Sequence, residues 1–167
     1  MGTTSKIAIK HKDGSIDSIY CHWDGYLSHN GYILQNFYNT VEKVTKLIQL
    51  GDLSSLGHKG IYPEIMTNEV EQKEDIQELS KYIKSYARDF GETKRISHFE
   101  SEDDWVKDLC EYAYLFDEET NTWYHFDNNK ILLEEAIEKD KTNAPSEYQH
   151  WNYVTLPEDY NQFAALS

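Results

Sequence analysis

The stretch Ser18 to Gly57, SIYCHWDGYLSHNGYILQNFYNTVEKVTKLIQLGDLSSLG, constrains this chain most, because a strand, a sharp turn and two helices follow one another there without filler. Ile19, Cys21 and Trp23 alternate with Tyr20, His22 and Asp24, the period of a half-buried strand carrying three apolar groups on one face. Gly25 breaks that pattern. Ser28 or Asn30 can cap a helix whose apolar positions are Ile33, Leu34, Phe37 and Tyr38. Thr40 is a good N-cap for a second helix, with Val41, Val44, Leu47 and Ile48 as its buried stripe and Gly51 as its stop.

Around that stretch the chain reads as further hairpins and helices. Strands at Lys6 to His11 and Ser15 to Trp23 flank Asp13-Gly14, a strong hairpin turn signal. The run from Val70 to Ile83 predicts a surface helix, apolar only at Ile76, Leu79 and Ile83. Ser85 to Phe90 and Lys94 to Phe99 alternate as two strands joined around Gly91. Ser101 then caps a helix whose first turn holds Glu102, Asp103 and Asp104 and whose buried side is Trp105, Val106 and Leu109. Aromatic-rich strands at Tyr112 to Asp117 and Thr122 to Asp127 form another hairpin, followed by a last helix from Ile131 to Lys139. The expected fold is one α+β domain over residues 1–145, an antiparallel sheet of about six strands with helices mostly on one face. Residues 146–167 form a tail whose rings pack on the domain or on another protein.

Composition bounds the function more than it defines it. A chain of 167 residues suits one core, and 13 Tyr, 6 Phe and 4 Trp offset a modest hydrophobic fraction of 39% with large rings. No apolar run approaches a membrane span, and two cysteines give no disulfide framework, so a cytoplasmic location is expected. The net charge of -14 is unevenly placed. Residues 1–60 hold 6 lysines against 5 acids, leaving 10 basic residues against 25 acids in 61–167. Such a field repels nucleic acid and attracts basic surfaces, so a basic partner is expected and neither direct nucleic-acid binding nor a membrane.

Chemical motifs are sparse. The seven histidines are scattered and neither His-x-x-x-His nor Cys-x-x-Cys spacing occurs, so no metal or cofactor is assigned. No glycine-rich phosphate loop or nucleophile elbow occurs, and no catalytic residue is assigned. His22 and Asp24 share a strand face, which permits an acid–base pair; equally, His22 is a hydrogen-bonded histidine at a strand end and Asp24 shapes the turn before Gly25. Arg88 can bind phosphate or carboxylate, or simply pair with Asp89 or Glu92. His22, Asp24, Tyr26 and Arg88 therefore form one candidate pocket, that of a small enzyme or ligand-binding protein. The other candidate is an acidic block: Glu100, Glu102, Asp103, Asp104, Asp108, Glu111, Asp117, Glu118 and Glu119, opposed within it only by Lys107. Its carboxylates can imitate phosphates toward a basic groove, or serve as a solvated surface.

The strings IYCHWDGY (19–26), LGDLSSLG (50–57) and RDFGE (88–92) resemble a group of small proteins of bacteriophages and other mobile elements. The likeness covers residues 6 to about 57 well and 85 to about 105 more loosely. It implies a phage or mobile-element gene acting in a bacterial cytoplasm and transfers no catalytic residue. By analogy of size, charge and origin, the expected role is inhibition of a nucleic-acid-handling defence enzyme, of the antirestriction or anti-CRISPR type. A structural or assembly role through the aromatic tail is the third expectation.

Overall fold

The computed structural model describes residues 3–56 and 83–143. Alternation of Ile7 and Ile9 with Lys6, Ala8 and Lys10 makes β1 (Ser5–Lys10), and the Asp13-Gly14 turn returns the chain as β2 (Ile16–Cys21). Asp13 fixes that turn by accepting from the Ser15 N–H at 2.9 Å, while Gly14 donates to the His11 carbonyl at 2.9 Å.

A π-helical turn, Leu27–Gly31, then runs directly into α1 (Tyr32–Phe37). Neither Ser28 nor Asn30 caps it, contrary to the sequence reading. Asn30 is buried instead, where its amide donates to Ser5 Oγ at 3.1 Å, Cys21 Sγ at 3.4 Å and the Trp23 carbonyl at 3.4 Å, tying the turn to both strands. Gly25 is required at this junction. A Cβ there would lie 2.7 Å from the Thr4 carbonyl oxygen, which no side chain can tolerate. The Thr40 hydroxyl caps α2 (Val41–Ile48) through the Lys43 N–H, as expected, and the chain turns at Gly51 into the short strand β3 (Leu53–Ser55).

Beyond the residues left undescribed come β4 (Lys84–Ser85), α3 (Tyr86–Phe90) and β5 (Ser97–Phe99). The predicted strand at 85–90 is thus a helix for five of its residues. Ser85 caps it by accepting from the Arg88 N–H at 3.2 Å, and Gly91, at φ 71°, ends it in the left-handed region that glycine enters at little cost. Local capping outweighs the alternation of Tyr86, Arg88 and Phe90. Of the next predicted strand only Ser97–Phe99 pairs. Ser101 caps α4 (Glu102–Trp105), which continues as one 3-10 turn to Asp108. Then follow β6 (Tyr112–Asp117), β7 (Thr122–Phe126), β8 (Lys130–Leu132) and α5 (Leu133–Asn143). The start of the predicted last helix is therefore spent on β8, which pairs with β7.

The fold is α+β, with eight strands among the described residues in the order β4-β3-β2-β1-β6-β7-β8, and β5 beside β2. It is a mixed sheet rather than the antiparallel one expected. β1 runs parallel to β6 over its whole length, and β2 meets β3 in parallel at Cys21 and Leu53. Parallel neighbours need a crossover, and α1 with α2 supplies the one between β2 and β3.

One face of the sheet, face A, presents Ile7, Ile9, Ile19, Tyr114, Phe116 and Trp123 to α1, α2 and α5 in a continuous apolar core. The opposite face B presents Ala8, Ile16, Ala113, Leu115 and Phe126 to Trp105, a much smaller cluster. Two expected core members lie outside both: Trp23, 43% exposed because β2 ends at Cys21, and Val106, 39% exposed where the helix tightens to 3-10. The predicted helix at 70–83, except Ile83, and the tail at 146–167 lie outside the described residues.

Candidate functional site

Face B assembles most of the charged residues singled out above, and the pleat of β1 decides which of them remain open to a partner. Lys6, Ala8 and Lys10 point to the side covered by α4, so both lysines meet acids of the block. Lys10 Nζ lies 3.3 Å and Lys130 Nζ 2.9 Å from one oxygen of Glu102, and Lys6 Nζ lies 3.2 Å from Asp108. These pairs pin the two ends of the 102–108 segment to the sheet. The neighbouring lysines hold the half-buried Glu102 carboxyl below its ordinary range, although burial opposes that shift. Asp104 reaches Lys107 at 3.8 Å on its own turn.

The other six carboxylates have no lysine or arginine partner among the described residues. Glu100 and Asp103 are exposed, and Glu111 accepts from the Thr4 N–H at 3.2 Å. Asp117 and Glu118 stand at the β6–β7 turn, accepting from the N–H groups of Glu119 and Lys12. Glu119 is exposed beside them. That turn lies against the β1–β2 turn, since the Glu118 N–H donates to the Lys10 carbonyl at 2.9 Å.

Two histidines gather around Asp17, which lies opposite Ile9 and so on the face A side of β2. Asp17 bridges them, one oxygen 2.8 Å from His11 Nε2 and the other 2.8 Å from His98 Nδ1. The remaining ring nitrogens face Glu118 at 3.7 Å and Glu100 at 3.4 Å. The Asp17 hydrogen bond raises the His98 pKa above its ordinary value, and both imidazoles hold Asp17 low against the opposing effect of burial. Among the described residues no group of three or more His, Cys, Asp or Glu side chains is arranged to hold a metal ion.

The second candidate set is only partly brought together. His22 Nδ1 lies 2.7 Å from the Tyr20 hydroxyl, and its ring meets Trp23 edge-on at 4.7 Å. Asp24, at φ 57°, shapes the turn and accepts from the Tyr26 hydroxyl at 3.0 Å. Arg88 donates to both oxygens of Asp89 and to the Ile83 carbonyl. No hydrogen bond joins His22 to Asp24 among the described residues.

A concave site does open nearby, with different walls. Tyr20, Asp52, Tyr86, Glu92, Thr93 and Arg95 line a pocket of about 210 Å³. It exists because β5 covers Ile16–Ser18 of the β2 edge and β3 joins only at Cys21, leaving Tyr20 between them. There the Tyr20 N–H finds no strand and donates to Asp52 Oδ1 at 2.9 Å. The lining comes from three separate stretches, so no local motif announces it. The one signal in the sequence was that Tyr20 shares a strand face with His22.

Comparison with protein-family models, with curated proteins and with solved structures finds no match to this chain. The site's own geometry and charge therefore carry the functional reading. No helix among the described residues is long and apolar enough to cross a membrane.

Proposed function

We propose that this protein binds and inhibits a basic, nucleic-acid-handling bacterial protein, as a phage or mobile element does to escape host defence, with carboxylates standing in for backbone phosphates. The observation that carries the reading is the division of the acidic block. Glu102 and Asp108 are consumed in holding α4 to the sheet, whereas Glu100, Asp103, Glu111, Asp117, Glu118 and Glu119 keep charge that no lysine or arginine among the described residues neutralises. Carboxylates set on a capped helix and two abutting turns are held in place before a partner arrives, which lowers the ordering cost of binding.

An enzyme centred on His22, Asp24, Tyr26 and Arg88 draws less support, since Arg88 is engaged by Asp89 and the open pocket has other walls. The test is capture from bacterial lysate, after nuclease digestion, by the wild-type chain and by a variant with Glu100, Asp103, Glu118 and Glu119 changed to their amides. A stoichiometric DNA- or RNA-handling partner is expected, held by the wild type alone. Its affinity should weaken about tenfold or more between ~0.05 and ~0.3 M salt. Equal capture by both chains, or affinity indifferent to salt, refutes the acidic surface as the binding element.

A further inference from the structure

The pocket at the β2 edge is flanked by aromatic side chains that the core does not use. Trp23, 43% exposed, stands edge-on to His22, and His22 is bonded to Tyr20 on the pocket wall. Tyr86 forms another wall, and its ring lies 6.0 Å from that of Phe90, which is 58% exposed. Exposed rings around a polar depression are the anatomy of a protein-docking hot spot. The pocket's 210 Å³ falls below the ~300–1,000 Å³ of sites for larger ligands and suits one inserted side chain.

The lining chemistry selects which one. Asp52 and Glu92 outnumber Arg95, and no ion pair joins Arg95 to either of them among the described residues. Asp52 is already oriented by the Tyr20 N–H. Tyr20 also carries a cation over its ring, Lys6 Nζ at 5.6 Å from the centroid. We infer that this pocket takes an arginine side chain of the basic protein partner, its guanidinium stacked on Tyr20 and Tyr86 and hydrogen-bonded to Asp52 and Glu92. A planar guanidinium can stack and donate in one pose, which a lysine ammonium cannot. Arg95 and Thr93, on the same walls, then face carbonyl oxygens of the partner's backbone. The inference rests on the reading that the partner is a basic protein. It adds the contact that gives specificity, next to the acidic block, because Lys6 links the Tyr20 ring to Asp108.

The test uses the full chain, labelled with nitrogen-15 and titrated with the blocked tripeptide acetyl-Gly-Arg-Gly-amide and with its lysine and citrulline counterparts. Citrulline keeps the shape of arginine and removes its charge. Amide shifts are expected at Tyr20, Asp52, Tyr86 and Arg95, with the arginine peptide binding about tenfold more tightly than the citrulline one. Glu92→Gln should lose most of that preference, and so should Tyr86→Ala. The amide variant of the acidic block should retain it. Among the described residues Glu92 makes no side-chain hydrogen bond or ion pair that its loss would break, so Glu92→Gln keeps the result readable if Tyr86→Ala fails to fold. Equal response to arginine and citrulline, or shifts confined to residues 100–119, overturns the inference. So does a response of the aromatic strip to a short oligouridine in place of the arginine peptide. Failure of the lysate capture alone leaves the shift map standing, so the two readings fail separately.

Discussion

The two faces of the sheet are closed by different physics. Face A buries the apolar stripes of α1, α2 and α5 against five strands, so that every large side chain there has many neighbours. Two of its polar tips are satisfied: Tyr114 donates to the Gly25 carbonyl and Trp123 to the Tyr38 carbonyl, both at 2.6 Å. Among the described residues face B is closed by one short segment, held by Trp105 at its centre and by lysine–carboxylate pairs at its ends. Trp105 packs edge-on against Phe126 at 5.1 Å and donates to Ser18 Oγ at 3.0 Å. The proposed binding would fall to face B and its turns, where six carboxylates of the block meet no lysine or arginine among the described residues.

Trp105→Ala breaks this comparison most severely. Removing a fully buried indole should cost about 3–5 kcal/mol in denaturant unfolding. Amide exchange should accelerate first over residues 97–108 while β1, β2 and the face A helices stay protected. Uniform acceleration across the sheet would mean that the two faces unfold as one unit and that the division is only geometric.

A smaller effect of opposite sign is expected at His125, on face A. Its ring is 4% exposed, lies 5.5 Å from Tyr114 and 6.1 Å from Tyr112, and neither nitrogen has a hydrogen-bond partner among the described residues. Burial pushes its pKa down, so it is neutral in the fold. His125→Phe keeps a planar ring and removes the unsatisfied donor, and should stabilise the protein by about 1–2 kcal/mol near neutral pH. A loss of stability would show that the imidazole is doing something the apolar core needs.

Face B's charge pairs can be tested one carboxylate at a time. Glu102→Gln leaves Lys10 and Lys130 without their shared acid and should cost about 1 kcal/mol, against a change within about 0.5 kcal/mol for Asp103→Asn one residue away. Binding to the partner should respond in the reverse order, more to Asp103 than to Glu102. The same order in both measurements would erase the distinction between structural and available acids.

The Asp13-Gly14 turn and the Thr40 and Ser101 caps were legible in the sequence because each is a signal within four residues. So was the acidic block, as a run of charge. What could not be read is which acids are spent internally, for Lys6 meets Asp108 across 102 residues and Lys10 meets Glu102 across 92. The parallel pairing of β1 with β6 hides for the same reason, and it is what brings those partners together. At Tyr86–Phe90 the misreading was local: a five-residue helix offers too few turns for its period to outweigh an accidental alternation. The pocket needed Tyr20 beside Tyr86 and Arg95, contacts set by strands too short to leave a pattern.

The smallest and most diagnostic effect lies in the sign of the pH dependence at two histidines. His125 has a depressed pKa in the fold, so between that value and about 6.5 the unfolded chain binds a proton that the folded one refuses. Its contribution to stability therefore falls as pH drops through about 6.5. His98 behaves oppositely. Held up by Asp17, with Glu100, Asp13 and His11 also near, it contributes stability that is complete below about 6.5 and is lost as pH rises through its elevated folded value. Thermal midpoints across pH 5.5 to 8.5 should show His125→Phe gaining most at the acid end. His98→Ala should lose most there and approach the wild type at the alkaline end, while the exposure of that ring keeps the difference small. Parallel profiles for the two variants would mean that neither histidine is coupled to its surroundings as the geometry requires. Opposed profiles would separate the buried histidine from the exposed, carboxylate-held one by a single proton on each.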